Sequence, residues 1–344
     1  MKTHHRIFYS NAKHMTELQD QSIDLVVTSP PYPMIKLWDE TFASMNPKIR
    51  EQLEKGNGAK AFDLMHKELE KVWIEVIRVA KPGSFVCINI GDATRSIGEK
   101  FQLYPSHCKI IDFFTKNGFV MLPSIIWRKP TNAPTKFMGS GMLPAGAYVT
   151  LEHEYILIFK KKGKRAFTRA EEKTMRRESA FFWEERNKWF SDIWEFPGIR
   201  QQLDNKTRTR SAAFPFELAY RLINMYSIKG DYILDPFLGT GTTILASIVA
   251  ARNSYGYELD HNFEAIIVNR IKEAKTFGNS VISDRLKKHE NFVKKARKNR
   301  KTLKYHNEFY AFPVVTMQET KIKINVIQEI RELDKGYFEV TYKL

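Results

Sequence analysis

Two short segments combine groups that could do chemistry, and the first is Thr28-Ser29-Pro30-Pro31-Tyr32. It supplies a hydroxyl, an aromatic ring and carbonyl oxygens within one turn. The two prolines restrict the backbone and carry no N–H group, so the loop is rich in hydrogen-bond acceptors. Such a loop could accept hydrogen bonds from a bound ligand. Taken alone, the same residues could also form a proline-rich turn after a strand.

The second segment, Asp235–Thr243, reads DPFLGTGTT, and the acidic residue Glu258 follows it at the end of the next apolar run. Its glycines let the backbone approach a bound nucleoside closely, and an acid after the next strand can accept both ribose hydroxyls. A phosphate-binding P-loop is excluded because Gly241 is followed by Thr242 rather than lysine. A dinucleotide fingerprint lacks its third glycine, and a purely structural turn remains the alternative.

Together the two segments resemble motifs IV and I of the beta-group bacterial DNA amino-methyltransferases of restriction–modification systems. In that group the amine motif precedes the cofactor loop, as it does here, and the resemblance covers about Asp20–Lys275. Three further segments resemble parts of the family. Lys81–Asp92 is similar to the strand behind the catalytic loop, Ile125–Lys129 to a segment beside the base pocket, and Ala213–Leu218 to the segment before motif I.

The resemblance implies two sets of site residues, and it implies S-adenosyl-L-methionine as the cofactor. The catalytic set is Ser29, Pro30, Pro31 and Tyr32. The cofactor-binding set is Asp235, Pro236, Phe237, Gly239, Thr240, Gly241, Thr242, Glu258 and Phe214. Within it, Asp235 would lie near the amino-acid part of the cofactor and Glu258 would hold the ribose. No metal site is expected.

The resemblance also implies a mechanism. The Ser29 hydroxyl oxygen and the Pro30 carbonyl accept hydrogen bonds from the two N–H groups of an exocyclic amine. These hydrogen bonds orient the nitrogen lone pair toward the methyl group. The base must leave the duplex to be reached, and Tyr32 is expected to stack on it. Positioning supplies most of the rate acceleration.

In this family Ser-Pro-Pro-Tyr usually accompanies methylation of cytosine N4, which we therefore predict, with adenine N6 as the alternative. Methylation of cytosine C5 is disfavoured because it needs a cysteine that typically follows a proline, and neither cysteine does. A methyltransferase of RNA or of a protein amine or amide is a rival, against which the motif order and the basic insertion argue. A catalytically silent DNA-binding relative is another, against which the intact motifs argue.

The elements that must position the two loops alternate between strands and helices. Apolar runs predict strands at Ile23–Ser29, Ser84–Ile90, Val120–Trp127, Glu154–Lys160, Tyr232–Phe237 and Ser254–Asp260. Helical periodicity and end signals predict helices at Phe62–Ala80, Pro105–Lys116, Pro215–Ser227, Gly241–Ala251 and Asn262–Lys275. This alternation predicts an α/β fold. With the resemblance, we expect a Rossmann-like methyltransferase with a mostly parallel twisted sheet and a circularly permuted motif order.

The alternation fails between about Thr131 and Arg210, where glycine, proline, aromatic and basic residues are concentrated. We predict four parts: a catalytic half at 1–130, an inserted target-recognition region at 131–210, a cofactor-binding half at 211–280 and a basic extension at 281–344. Strand 154–160 is assigned to the main sheet. Most of the aromatic residues of 181–196 are expected to form a small separate core.

The predicted extension comprises one helix and two strands, with the helix over Arg285–Lys304. The strands are predicted at Ile322–Ile327 and Tyr337–Tyr342, and we expect them to pair with each other as an appendage.

The formal net charge of +16 is concentrated in two stretches, Lys160–Arg210 and Arg285–Lys304, which carry +7 and +9. Such patches suit a polyanion, and solvated helix faces are the alternative. The predicted contacts with double-stranded DNA are Lys161, Lys162, Lys164, Arg165, Arg176, Arg177, Arg200, Arg208, Arg210, Lys294, Lys295, Arg297 and Lys298.

The cysteines Cys87 and Cys108 lie in apolar segments and are predicted to be buried, reduced thiols. No apolar run approaches the roughly 20 residues of a membrane helix, and Met1–Ser10 lacks the apolar region of an export signal. The expected location is the cytoplasm. A separate cognate restriction endonuclease is a further candidate partner, and a monomer or homodimer is expected.

Overall fold

The computed structural model describes residues 1–129, 138–198, 214–299 and 303–344. The strands are β1 (Lys2–Phe8), β2 (Ile23–Thr28), β3 (Ala80–Ile90), β4 (Ala93–Ile97), β5 (Lys100–Tyr104), β6 (Phe119–Arg128), β7 (His153–Lys161), β8 (Ile193–Glu195), β9 (Tyr232–Asp235), β10 (Asn253–Tyr257), β11 (Tyr305–His306), β12 (Pro313–Val314), β13 (Val326–Asp334) and β14 (Tyr337–Lys343). The α-helices are α1 (Asp39–Met45), α2 (Lys48–Glu54), α3 (Gly58–Val79), α4 (Ser106–Lys116), α5 (Ala170–Glu178), α6 (Trp183–Trp189), α7 (Phe216–Tyr226), α8 (Thr242–Val249) and α9 (Glu264–Lys298).

Ten of the strands form one sheet in the order β13-β14-β1-β10-β9-β2-β3-β7-β6-β8. Its five central strands, β1, β10, β9, β2 and β3, run parallel to one another. The predicted Rossmann-like α/β class is confirmed. We call the edge where β2, β3, β9 and β10 end the carboxyl edge, and the edge where they begin the amino edge. Ligands of open parallel sheets bind at the carboxyl edge.

Strand β2 shows why the centre of the sheet is covered on both faces. All six of its residues are buried, and successive side chains point to opposite faces. Leu25 and Val27 pack into the core formed with α7, α8 and α9. Val26 packs into the core formed with α3 and α4. A continuous apolar run is typical of such a doubly covered strand.

Helix α9 corrects the prediction of two separate helices near Asn262–Lys275 and Arg285–Lys304. It is one helix of 35 residues from Glu264 to Lys298. Its buried residues continue at intervals of three or four positions through Gly278, Ile282 and beyond, which keeps one stripe facing the protein. Two of the buried positions are the polar residues Arg285 and His289, which concealed the continuity.

The two C-terminal strands correct the prediction of an appendage. Strand β13 begins at Val326, near the end of the predicted strand Ile322–Ile327, and β14 pairs with β1. The hairpin therefore extends the central sheet. Strand β1 was not predicted, because its buried positions include the polar residues Thr3 and His5, so no apolar alternation marks it.

The aromatic residues of 181–196 also differ from their prediction. Phe182, Trp189 and Trp194 are buried, and Phe182 and Trp194 pack in the same core as α7 rather than in a separate one. Strand β8, which contains Trp194, pairs with β6 and so joins this segment to the sheet. The basic and acidic residues between the aromatics mask this connection in the sequence.

Cys87 is buried, whereas Cys108 is exposed on α4, which corrects the prediction that both are buried. No helix within the described ranges is both long and apolar enough to cross a membrane.

Candidate active site

The two predicted loops meet at the carboxyl edge because the strands that carry them, β2 and β9, are adjacent and parallel. A cavity of about 420 Å³ lies between the loops. The loop after β2 lines it with Ser29, Pro30 and Pro31. From the second loop and the start of α8 come Pro236, Phe237, Gly239, Thr240 and Thr242.

The rest of the cavity combines predicted and unpredicted residues. Glu258 and Phe214 line it as predicted. Residues that the sequence analysis missed include Asn11, Trp38 and Phe263. The volume lies within the range of about 300–1,000 Å³ that is usual for small-molecule sites. The cavity therefore has the size, the apolar walls and the carboxylate that a nucleoside cofactor requires.

Glu258 is held by backbone groups of both flanking loops. Its Oε2 accepts the N–H of Gly239 at 2.7 Å, and its Oε1 accepts the N–H of Asp260 at 2.8 Å. Gly239 has φ +55°, a backbone conformation that glycine adopts readily. The two contacts thus orient the carboxylate before a ligand binds.

Asp235 occupies a different position from the one predicted. It is fully buried, and its carboxylate accepts hydrogen bonds from the hydroxyls of Thr28 at 2.6 Å and Thr243 at 2.5 Å. The Phe237 N–H donates to it as well, at 3.1 Å. The predicted contact with the amino-acid part of the cofactor does not agree with this geometry. Asp235 instead joins the end of β2 to the start of α8.

Burial raises the pKa of Asp235 to about 6, because a charged carboxylate is poorly solvated inside the protein. The hydrogen bonds from Thr243, Thr28 and Phe237 act in the opposite direction. Gly241 likewise has a structural role: its φ is +83°, and an added Cβ would lie 3.1 Å from Ile267. It allows α8 to start close to α9.

Tyr32 lies at the centre of a polar cluster behind Ser29. Its hydroxyl oxygen lies 3.1 Å from Ser29 Oγ, 2.8 Å from Glu154 Oε2 and 2.7 Å from Asn89 Nδ2. Burial, followed by the charge of Glu154, raises the pKa of Tyr32 well above its ordinary value. Lys129 forms an ion pair with Glu154 on the far side of the cluster.

Glu154, Asn89 and Lys129 were not among the predicted site residues. Asn89 and Lys129 lie in segments that resembled parts of the family, Lys81–Asp92 and Ile125–Lys129, so a weak signal existed for them. Glu154 begins a predicted strand, and nothing local distinguishes it from a surface acid. Its role follows from the pairing of β7 with β3, which places Tyr155 opposite Ile90 at the carboxyl edge.

The predicted DNA contacts at Lys161, Lys162, Lys164 and Arg165 are placed at the amino edge. Strand β7 runs antiparallel to β3 and ends there, about 23 Å along the strand from Glu154. Lys161 donates to the carbonyls of Ile77 and Ala80, both at the start of β3 or just before it. Arg165 forms an ion pair with Asp231 at 2.6 Å. These four residues therefore lie away from the cavity, and their contact with DNA stays a prediction.

The other predicted DNA contacts within the described residues also lie away from the cavity. Arg176 and Arg177 lie on α5, whose last residue, Glu178, forms an ion pair with Lys229 just before β9. Lys229 lies at the amino edge, because β9 begins three residues later at Tyr232. Helix α9 leaves the carboxyl edge, and its basic end lies beyond the amino edge; this end carries Lys294, Lys295, Arg297 and Lys298. Three predicted contacts fall outside the described residues: Arg200, Arg208 and Arg210.

The direction of α9 follows from two close approaches. An added Cβ at Gly241 would meet Ile267 at 3.1 Å, and one at Gly278 would meet Val249 at 2.9 Å. Helix α9 therefore follows α8 from its first turn to its last, toward the amino edge. Lys294 lies about 24 Å further along the helix axis than Gly278.

Comparison with known proteins supports a single family. Residues 23–269 match the model of a family described as DNA methylase, the N6/N4 methyltransferases. The Type II methyltransferase M.MthZI of Methanothermobacter thermautotrophicus is 56% identical over 346 residues, which cover 100% of this chain and 96% of that protein. M.MjaI of Methanocaldococcus jannaschii is 50% identical over 280 residues, covering 78% of this chain and 91% of the relative.

Solved structures show the same similarity. TTHA0409 of Thermus thermophilus, described as a putative DNA modification methylase and solved with S-adenosyl-L-methionine, aligns with a TM-score of 0.61 and 31% identity. The alignment covers 78% of this chain and 95% of that one. The cytosine-N4-specific PvuII DNA methyltransferase aligns with a TM-score of 0.55 at 14% identity, over 78% of this chain and 86% of its own. At that identity it supports the fold alone.

Proposed function

Because this chain belongs to the DNA methylase family of N6/N4 methyltransferases, we propose that it methylates cytosine N4 through the loop Ser29–Tyr32. It is a site-specific DNA amino-methyltransferase, and its methyl donor is S-adenosyl-L-methionine. The observation that carries the residue assignment is that Ser29, Pro30 and Glu258 line one cavity.

The bound cofactor supplies an electrophilic methyl group on a sulfonium sulfur. Glu258 would accept hydroxyls of its ribose, and the backbone around Gly239 would approach it closely. Pro30 and Ser29 would accept the two N–H bonds of the target amine, which orients the nitrogen lone pair. The cavity walls would exclude water, so the work of the protein is orientation rather than covalent catalysis.

The choice of cytosine N4 is supported by Ser29, the first residue of the Ser-Pro-Pro-Tyr loop. Sequencing genomic DNA from cells that express the protein, by a method that distinguishes modified bases, should reveal N4-methylcytosine at one short motif. N6-methyladenine at a single motif would leave the amino-methyltransferase in place and contradict the base. The same data would identify the recognition sequence.

Replacing Ser29 tests the catalytic assignment. We expect Ser29→Ala to lower the rate of methyl transfer by roughly 10²–10³-fold, as is typical when one oriented polar partner of a reacting group is removed. Affinity for S-adenosyl-L-homocysteine, measured by calorimetry, should not change, because Glu258 and the second loop remain intact. Single-turnover methylation of a duplex that contains the recognition site measures the rate.

Ser22→Ala provides the matched control, since Ser22 precedes β2 at the opposite end from Ser29 and donates to the Gln19 carbonyl. It should methylate DNA at the wild-type rate. If Ser29→Ala instead lost cofactor affinity and retained turnover, Ser29 would belong to the cofactor site.

The surface that receives DNA is proposed to be the carboxyl edge, where a flipped base can enter the cavity. The connection from β6 to β7 leaves the sheet at this edge, and Met142 and Leu143 are 83% and 70% exposed on it. Tyr148 of the same connection stacks on Phe101 of β5 at 4.9 Å. We assign target recognition to the described part of this connection, 138–152, which lies within the predicted region 131–210.

A separate cognate endonuclease is also proposed, because M.MthZI and M.MjaI are named Type II methyltransferases. Genomic DNA from cells that express this chain should then resist a nuclease that cuts at the methylated motif. Cleavage of that DNA at the motif would contradict the proposal.

A further inference from the structure

Glu154 lies next to the loop Ser29–Tyr32 and is hydrogen-bonded to its last residue, Tyr32. It is the second residue of β7, at the carboxyl edge, and is 9% exposed. Its Oε2 accepts hydrogen bonds from the Tyr32 hydroxyl at 2.8 Å and from Asn89 Nδ2 at 2.6 Å. Its Oε1 accepts one from Lys129 Nζ. The carboxylate is therefore buried, paired and two hydrogen bonds away from Ser29.

The direction of these hydrogen bonds follows from what each group can do. An ionised carboxylate only accepts, so the single proton of the Tyr32 hydroxyl points toward Glu154. Ser29 Oγ, at 3.1 Å from the Tyr32 oxygen, must then donate its own proton to that oxygen. Its lone pairs are left for the cavity that Ser29 lines. Ser29 thus meets the cavity as an acceptor, which matches the N–H bond of an amine.

Asn89 completes the cluster at a cost to stability. Its Nδ2 donates to both the Tyr32 oxygen and Glu154. Its Oδ1 is buried with no hydrogen-bond partner among the described residues. Burying an unsatisfied acceptor is unfavourable, and such groups call for an explanation. The explanation we give is that Asn89 orients the Tyr32 hydroxyl and the Glu154 carboxylate through its two hydrogen bonds.

We propose that Glu154 is a positioning residue that orients Ser29 through Tyr32 and receives the proton that the target amine loses. The inference rests on the proposed role of Ser29 as an acceptor for that amine. It assigns a function to a carboxylate in a strand outside both motifs.

The proton path balances the reaction. When the amine nitrogen bonds to the methyl carbon, the carbon–sulfur bond breaks with its electron pair left on sulfur, and the nitrogen becomes positively charged. The nitrogen then gives one proton to Ser29 Oγ. The original proton of Ser29 passes to the Tyr32 oxygen, and that of Tyr32 passes to Glu154. The methylated amine ends neutral, and Glu154 ends as a carboxylic acid.

The direction of transfer is favourable even though Glu154 is paired with Lys129. A positively charged, methylated aromatic amine is a much stronger acid than a carboxylic acid, so it can protonate a carboxylate that is paired with a lysine. Tyr32 must remain a phenol between transfers, and burial raises the pKa of its hydroxyl, which keeps the proton in place.

Two variants remove the proton transfer to Glu154 while they preserve the size of the side chains. In Glu154→Gln the side chain keeps its size and can still accept the Tyr32 hydroxyl through its amide oxygen, but it takes no proton. Tyr32→Phe keeps the ring and breaks the path. Each should lower the single-turnover rate by roughly 10²-fold, and the double variant should be no slower than the slower single variant, because both interrupt one path.

Three further measurements accompany the rate. Affinities for DNA and for S-adenosyl-L-homocysteine should not change, and the decrease of the wild-type rate in D₂O should be lost in Glu154→Gln. Glu152→Gln and Tyr155→Phe are the matched controls. Glu152 pairs with Arg128 at 3.6 Å, and Tyr155 stacks on His107, so both flank Glu154 but interact with groups outside the cluster. Both should retain the wild-type rate.

A wild-type rate in Glu154→Gln would overturn the proposal, even if Tyr32→Phe were slow. Should Glu154→Gln fail to fold in a thermal melt, Tyr32→Phe decides, since it leaves the ion pair with Lys129 intact; a wild-type rate there would also overturn the proposal. Normal turnover in Ser29→Ala would refute the proposed function instead, which distinguishes the two failures.

Discussion

At the scale of single residues, the most informative side chain is Asp235, which the motif would place on the cofactor and the structure places inside the protein. Its carboxylate joins Thr28, the residue just before Ser29, to Thr243 on α8. These partners are 207 and 8 positions away along the chain. The residue therefore fixes the distance between the catalytic loop and the cofactor loop.

The raised pKa of Asp235 predicts a pH dependence of stability. Burial raises the folded-state pKa to about 6 from an ordinary value of 3.8, so between these values the folded chain holds a proton that the unfolded chain has released. The stabilising contribution is fully present below about 3.8 and is lost as the pH rises through about 6. The difference corresponds to about 3 kcal/mol.

Urea unfolding of the wild type and of Asp235→Asn between pH 4 and pH 8 tests this. The free energy of unfolding of the wild type, relative to the variant, should increase as the pH falls. The Asn side chain is neutral throughout, so the variant provides the reference. Parallel profiles for the two proteins would contradict the prediction, and a carbon-13 titration of the Asp235 carboxyl would measure its pKa directly.

At the scale of elements, the C-terminal hairpin is part of the sheet rather than an attachment. Phe338, Val340 and Tyr342 of β14 are buried, and the Tyr342 hydroxyl contacts Thr3 at 2.9 Å and donates to the Ile248 carbonyl at 2.8 Å. Strand β14 pairs with β1 and so covers the outer edge of the five parallel strands. Removal of this hairpin should therefore affect the stability of the fold before it affects DNA binding.

Deletion of Val326–Leu344 should therefore destabilise the whole protein. Each fully buried large apolar side chain contributes about 1.5–3 kcal/mol, so losing several approaches a total stability of about 5–15 kcal/mol. Thermal unfolding followed by circular dichroism should show a strongly lowered midpoint or no cooperative transition. A deletion that melts at the wild-type temperature would show that the hairpin is dispensable for folding.

At the scale of the whole molecule, the position of charge matters more than its sum. The described basic residues in the two most basic stretches lie mainly toward the amino edge or along α9. The cavity opens at the carboxyl edge, where the exposed Lys36 follows the catalytic loop and the exposed Lys100 begins β5. We expect a duplex whose base enters the cavity to lie against these lysines.

Salt-dependent DNA binding distinguishes the two surfaces. The double variant Lys36→Gln, Lys100→Gln should reduce the magnitude of the slope of log affinity against log salt by roughly 2, about 0.9 for each phosphate that a lysine no longer neutralises. The matched double variant Lys294→Gln, Lys295→Gln removes the same charge from the far end of α9 and should leave the slope unchanged. The reverse result would place the duplex on α9 and contradict our assignment of the DNA surface.

The sequence was sufficient for features that depend on neighbouring residues. The run Ile23–Thr28, the loop Ser29–Tyr32 and the cofactor loop are local patterns, and each predicted an element or a lining residue that the structure contains. It was insufficient for β1 and for the continuity of α9, because polar residues at buried positions interrupt their apolar periodicity.

By itself, the sequence determined the class of fold and the positions of the two loops at the ends of strands, because proline, glycine and apolar spacing act over a few residues. Only the tertiary structure decided which groups surround those loops. Thr28 meets Asp235 across 207 positions, and Tyr32 meets Glu154 across 122. Strand order and direction bring these residues together, and they also place the basic residues of 161–165 and of the end of α9 away from the cavity. Such contacts depend on how strands pair, which no local pattern encodes.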